Sequence, residues 1–567
     1  MRRGLLLLSS LLVAPACSDS STDFWRPGNQ LLPMVTLDGN STAGSSSLAF
    51  VEQTTSTAFL LDVADPALRP KLVSVGKRPV TAVRHTGSNR LIVLSAGDNG
   101  SSSKQATAPQ MLIVDPLTPD TVDEHPLPSA FDGLAQSSDG KFAILYHAPS
   151  SKYLTGSTLF NPNEMMVADF SANVAGVPVL TPKSIRSLGN VPSDIRFSPV
   201  YSKRGQHRLA VVLSQNYLTL FDLLNLSQSE ISLPLCLAGS SCNYQVDDVV
   251  FDPSNFKLYV RASGAKDIFQ ISLSESDVQD ANLKYDLVAS LSMLAVGASA
   301  TDMVLYGTEK DARLAVVAPT VKSLLIINPN TSNSVSLSMA IPANKIVPFI
   351  SPSKDLDSKP KSQALLLDLE KGSTSVLFAD FGSAEAATGT PPKQLSISGT
   401  PTSVVSVSSY DPLANAAAPN VAILLFGRSS GGSVLTVVNM DTQSFFDFSS
   451  TSALTSSYLE VRSANATGRL WSLVSPDDGA SSPNSGIYYR DLPSSVGATT
   501  PTVWLDQTIV SITPLSDAQG VRYLVLGHND PTGYGNLTLL DARSPDRSTA
   551  RTAYGFLFTD YLGRNQP

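Results

Sequence analysis

From Ser46 to the end of the chain, short apolar runs alternate with polar turn residues, and a helical period of 3.6 is almost absent. Runs of this length, rich in Val, Ile, Leu and Phe and bounded by Gly, Pro, Asn, Asp and Ser, read as β-strands. They recur in a fixed order at about fifty-residue spacing, the mark of an internal repeat. A unit opens on a strand behind a small residue or Pro. A polar turn and a strongly apolar strand follow, then a strand often ending in Asp, then a weaker strand. One unit reads Pro192–Phe197, Arg208–Leu213, Tyr217–Asp222 and Glu230–Leu233. The next reads Asp248–Phe251, Lys257–Val260, Ile268–Leu273 and Leu283–Leu291, and a third reads Asp302–Tyr306, Arg313–Val317, Leu324–Asn328 and Ser334–Ile341. Others open near Val80, Asp132, Lys345, Ser403, Leu459 and Ile509.

Four meandering strands per unit, repeated, predict an all-β fold built of β-propeller blades. The first segment, Leu48–Glu52, Phe59–Val63 and Leu72–Val75, matches the second to fourth strands of a unit and lacks the first. The last segment, Phe556–Asp560, looks like a lone first strand, so pairing of N- and C-terminal strands is expected to close the ring. The count is then about ten units over residues 46–567, in a single large ring or two smaller ones.

Several joins between units pair an apolar residue and Gly with a following Pro and strand: Val75-Gly76-Lys77-Arg78-Pro79, Leu188-Gly189-Asn190-Val191-Pro192 and Ile397-Ser398-Gly399-Thr400-Pro401. Val296-Gly297 before Thr301-Asp302 is a version without Pro. These joins resemble those of the bacterial surface propellers called YVTN-like or lactonase-like. The resemblance covers residues 46–567 as architecture. It implies a channel that binds a cation and, as one outcome, hydrolase activity. None of the 3 Trp precedes an Asp, so the WD40 signature is missing, and Trp25, Trp471 and Trp504 are too few for a quinoprotein propeller.

The beginning of the chain follows a different pattern. Arg2 and Arg3 precede an apolar run of ten residues, Leu5–Ala14, which is too short to span a bilayer. Pro15, Ala16 and Cys17 follow, then polar Ser18–Thr22. This resembles a bacterial lipoprotein signal, which implies cleavage after residue 16 and lipidation of Cys17, with residues 17–45 as a tether. Ala14-Pro15-Ala16 also offers a small-x-small site to an ordinary signal peptidase. The implied location is the bacterial cell envelope, at the outer membrane. Lipidating Cys17 removes it from a count of 3 cysteines and leaves Cys236 and Cys242 around Leu-Ala-Gly-Ser-Ser. A local disulfide is expected there, with two unpaired thiols as the alternative.

The formal charge is −8, or −10 once Arg2 and Arg3 leave with the leader, which excludes nucleic acid as a partner. Only 16% of residues are charged, so Ser, Thr, Asn and Gln must cover much of the surface. First strands line a propeller's channel. Aligning the units at that strand brings Thr81, Asp132, Asp194, Asp248, Asp302, Lys345 and Ser403 to equivalent positions. Asp132, Asp194, Asp248 and Asp302 either accept hydrogen bonds from turn amides or hold a hard cation such as Ca²⁺. The 5 histidines are scattered, and His85 and His528 read as turn or surface residues. No nucleophile elbow, zinc-protease pair or phosphate loop is present. The sequence therefore points to a lipid-anchored envelope propeller that binds a protein or a surface glycan. The alternative is a lactonase-like hydrolase using a channel cation held by the four aspartates.

Overall fold

The computed structural model describes residues 31–555 apart from 39–45, 99–106, 151–160, 172–176, 186–190, 237–241, 280–284, 308, 355–359, 371, 382–389, 398, 408–420, 427–434, 449–453, 463–466, 475–484, 493–501, 506, 518–519 and 529–534. Among these residues the chain forms ten antiparallel sheets of four strands, each a meander in chain order. Their first strands, which define blades 1 to 10, are Val35–Leu37, Pro79–Arg84, Gly133–Gln136, Asp194–Ser202, Gln245–Asp252, Asp302–Tyr306, Lys345–Lys354, Pro401–Val407, Leu454–Arg462 and Ile509–Asp517. At eight of the ten junctions the first strands of neighbouring blades lie against one another, so this edge of every sheet faces the common axis. The repeat units expected at Val80, Asp132, Asp194, Asp248, Asp302, Lys345, Ser403, Leu459 and Ile509 all appear as separate sheets.

The continuous apolar character of the second and third strands has a packing cause. Both faces of each blade are covered by another blade, so successive side chains, which point to opposite faces, must all be apolar. In Leu91–Ser95, Leu91 and Val93 join a cluster with blade 1, whereas Ile92 and Leu94 join one with blade 3. In Gln206–Ser214, Ala210 and Val212 pack on blade 3, and Leu209, Val211 and Leu213 on blade 5. The core is therefore a series of wedges between blades. The aspartate that so often ends a third strand closes the turn after it. Asp62, Asp169, Asp222 and Asp541 each accept a hydrogen bond from the amide two residues on, at 2.8, 2.8, 3.1 and 2.8 Å. Gly76 and Gly297, in the joins between blades, adopt φ of 76° and 74°, a left-handed conformation that favours glycine.

The wedges run in sequence and return to their start. Leu48, Phe59 and Leu61 of blade 1 share a cluster with Leu515, Val525 and Leu539 of blade 10. Arg551 Nη2 donates to Val63 O at 2.6 Å across the same junction. Blade 8 meets blade 9 through their first strands. Ten blades thus form a single circuit rather than two rings. Blade 1 takes its inner strand from Val35–Leu37, which pairs with Ser47–Ala49. The fold therefore begins inside the stretch read as tether, because three residues are too short to show a period. Phe556–Asp560, the strand expected to close the ring, lies outside the described residues, as do Cys17 and the leader.

Candidate functional site at the channel

At their inner ends the first strands carry the polar positions that the repeat alignment brought together. A local device repeats in four of them. The pairing register shifts between Pro79 and Thr81, Val246 and Asp248, Pro401 and Ser403, and Ile509 and Ser511. A bulge of this kind inserts an extra residue, bends the strand and re-aims the side chains beside it. In blade 5 the inserted residue is Asp247, which accepts from Arg261 Nη1 at 3.0 Å and Ser263 Oγ at 2.6 Å.

The aligned residues from Thr81 to Lys345 are each engaged by their own neighbourhood. Thr81 Oγ1 donates to Asp132 O at 2.5 Å, and Asp132 Oδ1 accepts from the Ala148 amide at 2.9 Å. Asp194 accepts from the Ile195 amide at 2.8 Å and pairs with Arg196 at 2.7 Å. Asp248 accepts from the Val249 amide at 2.9 Å. Asp302 accepts from the Met303 and Ile346 amides at 3.1 and 2.8 Å and pairs with Lys345 Nζ at 3.0 Å. Of the two readings of these aspartates, the turn-amide one describes their contacts. The ligand set expected for Ca²⁺ is not gathered: among the described residues no three His, Cys, Asp or Glu side chains are placed to hold a metal ion. Each carboxylate instead has a backbone amide donor of its own.

What results is an alternating rim of charge around blades 4 to 7: Asp194 with Arg196, Asp247 with Arg261, Asp248, and Asp302 with Lys345. Asp248 is the least compensated. Burial pushes its carboxyl above the usual range and the Asp302 charge adds to this, against the Val249 amide and the charges of Arg261 and Arg196. In blade 3, burial and the charges of Asp194 and Asp132 raise the Tyr146 phenol.

Two histidines read as turn or surface residues are both buried: His85 opens the turn after its strand, as expected, and His528 ends the strand Gly520–His528. His85 bonds Gly140 O and Ser88 Oγ at 2.7 Å and lies 4.2 Å from the Phe170 ring. His528 bonds Thr538 Oγ1 at 2.7 Å. His207, between Asp222 and Glu275, forms a buried charged cluster at the junction of blades 4 and 5. Sequence reasoning missed it, since the three residues come from three different strands. Its one signal was Asp222, the residue that ends its strand. Cys236 and Cys242 are joined in a disulfide on the connection between the same two blades.

No family model matches the chain, and no curated protein matches it. Among solved structures it is similar to a dihydro-heme d1 dehydrogenase, NirN, in complex with DHE, at 11% identity over 93% of this chain and 78% of that one, TM-score 0.34. It is similar to AztD from Citrobacter koseri at 12% identity over 65% of this chain and 87% of that one, TM-score 0.30. It is also similar to a putative 6-phosphogluconolactonase from Bacteroides fragilis at 12% identity over 65% of this chain and 96% of that one, TM-score 0.26.

Proposed function

We propose that this chain is a lipid-anchored propeller of the bacterial cell envelope, held through Cys17 at the outer membrane, that acts by binding a protein or a surface glycan. The observation that carries the reading is the rim of paired charges. Asp194–Arg196, Asp247–Arg261 and Asp302–Lys345 hold one another at 2.7 to 3.0 Å, so the channel mouth presents fixed donors and acceptors. Such a surface recognises a partner by complementary polar groups, which favours specificity and steering. The ring that carries it is closed and wedge-packed, so the rim is held rigidly. The leader and tether supply the means of display.

Cross-linking in intact native envelopes, followed by recovery through the anchored chain, tests the proposal. A discrete protein or glycan should be recovered, and reversing the rim charges (Arg196→Glu with Lys345→Glu) should lose it. Recovery of nothing, or equal recovery by the reversed rim, would overturn it. Saturable thermal stabilisation by Ca²⁺ that disappears in Asp194→Ala with Asp248→Ala would instead support a hydrolase built on a channel cation.

A further inference from the structure

The outermost strand of blade 5, Tyr285–Leu294, is ten residues long, whereas the outermost strands of the other nine blades run to between four and six. An outer strand presents a row of unpaired backbone groups, and proteins ordinarily blunt such edges with charge, Pro or brevity. Most outer strands here follow the rule. Pro70–Ser74 carries Lys71, Val179–Ser184 carries Pro182 and Lys183, and Ile231–Pro234 ends in Pro. The uncharged Ser334–Ser338 and Thr502–Leu505 are only five and four residues long. Tyr285–Leu294 uses none of these devices past Asp286: from Leu287 to Val296 the chain has no charge and no Pro.

One contact fixes which backbone groups face outward. The Gln228 side-chain amide accepts from Leu287 N at 2.9 Å and donates to Leu287 O at 2.7 Å, a two-bond ring that imitates a neighbouring strand. Pairing with Ile268–Gln279 is regular from Leu294 down to Leu287, so Ala289, Leu291 and Met293 turn their N–H and C=O the same way. Beyond them Asp267 Oδ1 takes the amides of Val296 and Gly297 at 2.9 and 3.1 Å. The outer edge is thus covered by Gln228 at one end, and the strand is tied off past its other end by Asp267, which precedes the inner neighbour Ile268–Gln279; the slot is the outer edge between those ends. Val288 and Met293 flank it with 52% and 53% of their surface exposed.

We infer that this slot, from Ala289 to Met293, takes up an uncharged extended peptide segment of a partner protein as a fifth strand of blade 5. Charge selects the occupant's chemistry, because a charged residue in the added strand would meet none of opposite sign between Leu287 and Val296. Size selects a peptide segment over a second copy of this chain. A ladder over three outward-facing residues buries far less than the roughly 1,200 Å² of a stable interface between folded proteins. Main-chain hydrogen bonds give such pairing its strength, and alternate side chains its selectivity. The slot lies on the circumference, away from the channel rim, and stands whether or not the rim binds.

Hydrogen exchange of the intact chain tests this with the peptide acetyl-Thr-Val-Thr-Val-Thr-Val-Thr-amide as probe. Exchange over residues 287–294 should slow tenfold or more with the peptide. The effect should vanish when alternate peptide nitrogens are methylated, and in Ala289→Pro, which removes an outward N–H. Should Ala289→Pro fail to fold, Met293→Lys places a charge on an exposed side chain at the same edge and should abolish the effect equally. Unchanged exchange in the wild type, or equal slowing in the folded variant, would overturn the inference. So would slowing that depends on protein concentration without peptide, which would give the edge to a second copy.

Discussion

The cluster at the junction of blades 4 and 5 makes that junction depend on pH. His207 Nδ1 stands 2.7 Å from Asp222 Oδ2 and Nε2 stands 3.2 Å from Glu275 Oε1, with all three side chains 2% exposed or less. A neutral imidazole has one N–H and one lone pair, so only the imidazolium satisfies both carboxylates. Around them, Arg204 bonds Glu275 at 3.1 Å, the Arg208 amide bonds Asp222 at 3.2 Å, and Lys203 lies over the nearby Phe256 ring. Burial alone would lower the His207 pKa, but the hydrogen bonds and charges of Asp222 and Glu275 outweigh it and raise it above 6.5. Burial would raise Glu275, but the Gly205 and Arg204 amides, the Arg204 guanidinium and His207 hold it below 4.5. The signs follow from linkage. The His207 contribution is complete below its unfolded value and is lost as pH rises through the folded one. That of Glu275 is complete above its unfolded value and is lost as pH falls through the folded one. The junction is therefore tightest between 4.5 and 6.5. Removing one partner of a buried pair costs about 3–5 kcal/mol. Since Arg204 and two amides still hold Glu275, His207→Gln should cost about 3 kcal/mol near pH 6. At a pH above the folded value of His207, where the wild type has lost the second contact, the same substitution should cost about 1 kcal/mol. Hydrogen exchange over 204–214 and 269–279, read beside thermal melting at both pH values, reports this locally. An equal cost of His207→Gln at both pH values, or titration of His207 below 6.5, would refute the reasoning.

Three further outcomes are expected. Asp38 follows the inner strand of blade 1, pairs with Arg84 of blade 2 and accepts from the Ser516 amide of blade 10 at 2.9 Å. Asp38→Ala should cost about 2 kcal/mol and make the ring junction more sensitive to limited proteolysis, whereas an unchanged melting curve and digest would show that Asp38 does not clasp the ring. Replacing Cys236 and Cys242 by Ser should lower stability by about 2 kcal/mol through the entropy of a short loop, measurable as a lower melting temperature that reductant reproduces in the wild type. Cys17→Ser should abolish incorporation of labelled fatty acid and move the chain from the membrane to the soluble fraction of envelopes. Retention at the membrane would point to another anchor.

How much of this was legible in the sequence follows from the range of the interactions. The blades were legible because wedge packing imposes a local rule, apolar residues on both faces of every second and third strand. Leu91, Ile92, Val93 and Leu94 carry that rule within four consecutive residues. The aspartates ending third strands were legible for the same reason, since each bonds an amide two residues away. The inner strand Val35–Leu37 obeys no local rule. It is defined by pairing with Ser47–Ala49 and by contact with blade 10, which stands at the other end of the chain.

The channel aspartates show the limit of aligning repeats. Alignment places residues at equivalent positions around a ring, but their chemistry depends on the donor each one meets, and the donors do not repeat. Asp194 meets Arg196 two residues along its own strand, Asp302 meets Lys345 from the next blade, and Asp248 meets chiefly the amide beside it. One position in the repeat therefore holds three different electrostatic states. The same reasoning separates the rim from the slot on blade 5. A ring of like blades gives all ten outer edges the same backbone geometry, and only the sequence between Leu287 and Val296 leaves one of them long and without charge. In this architecture the repeat builds the scaffold. Recognition has to come from the departures from it, and Tyr285–Leu294 is the largest departure among the outer strands.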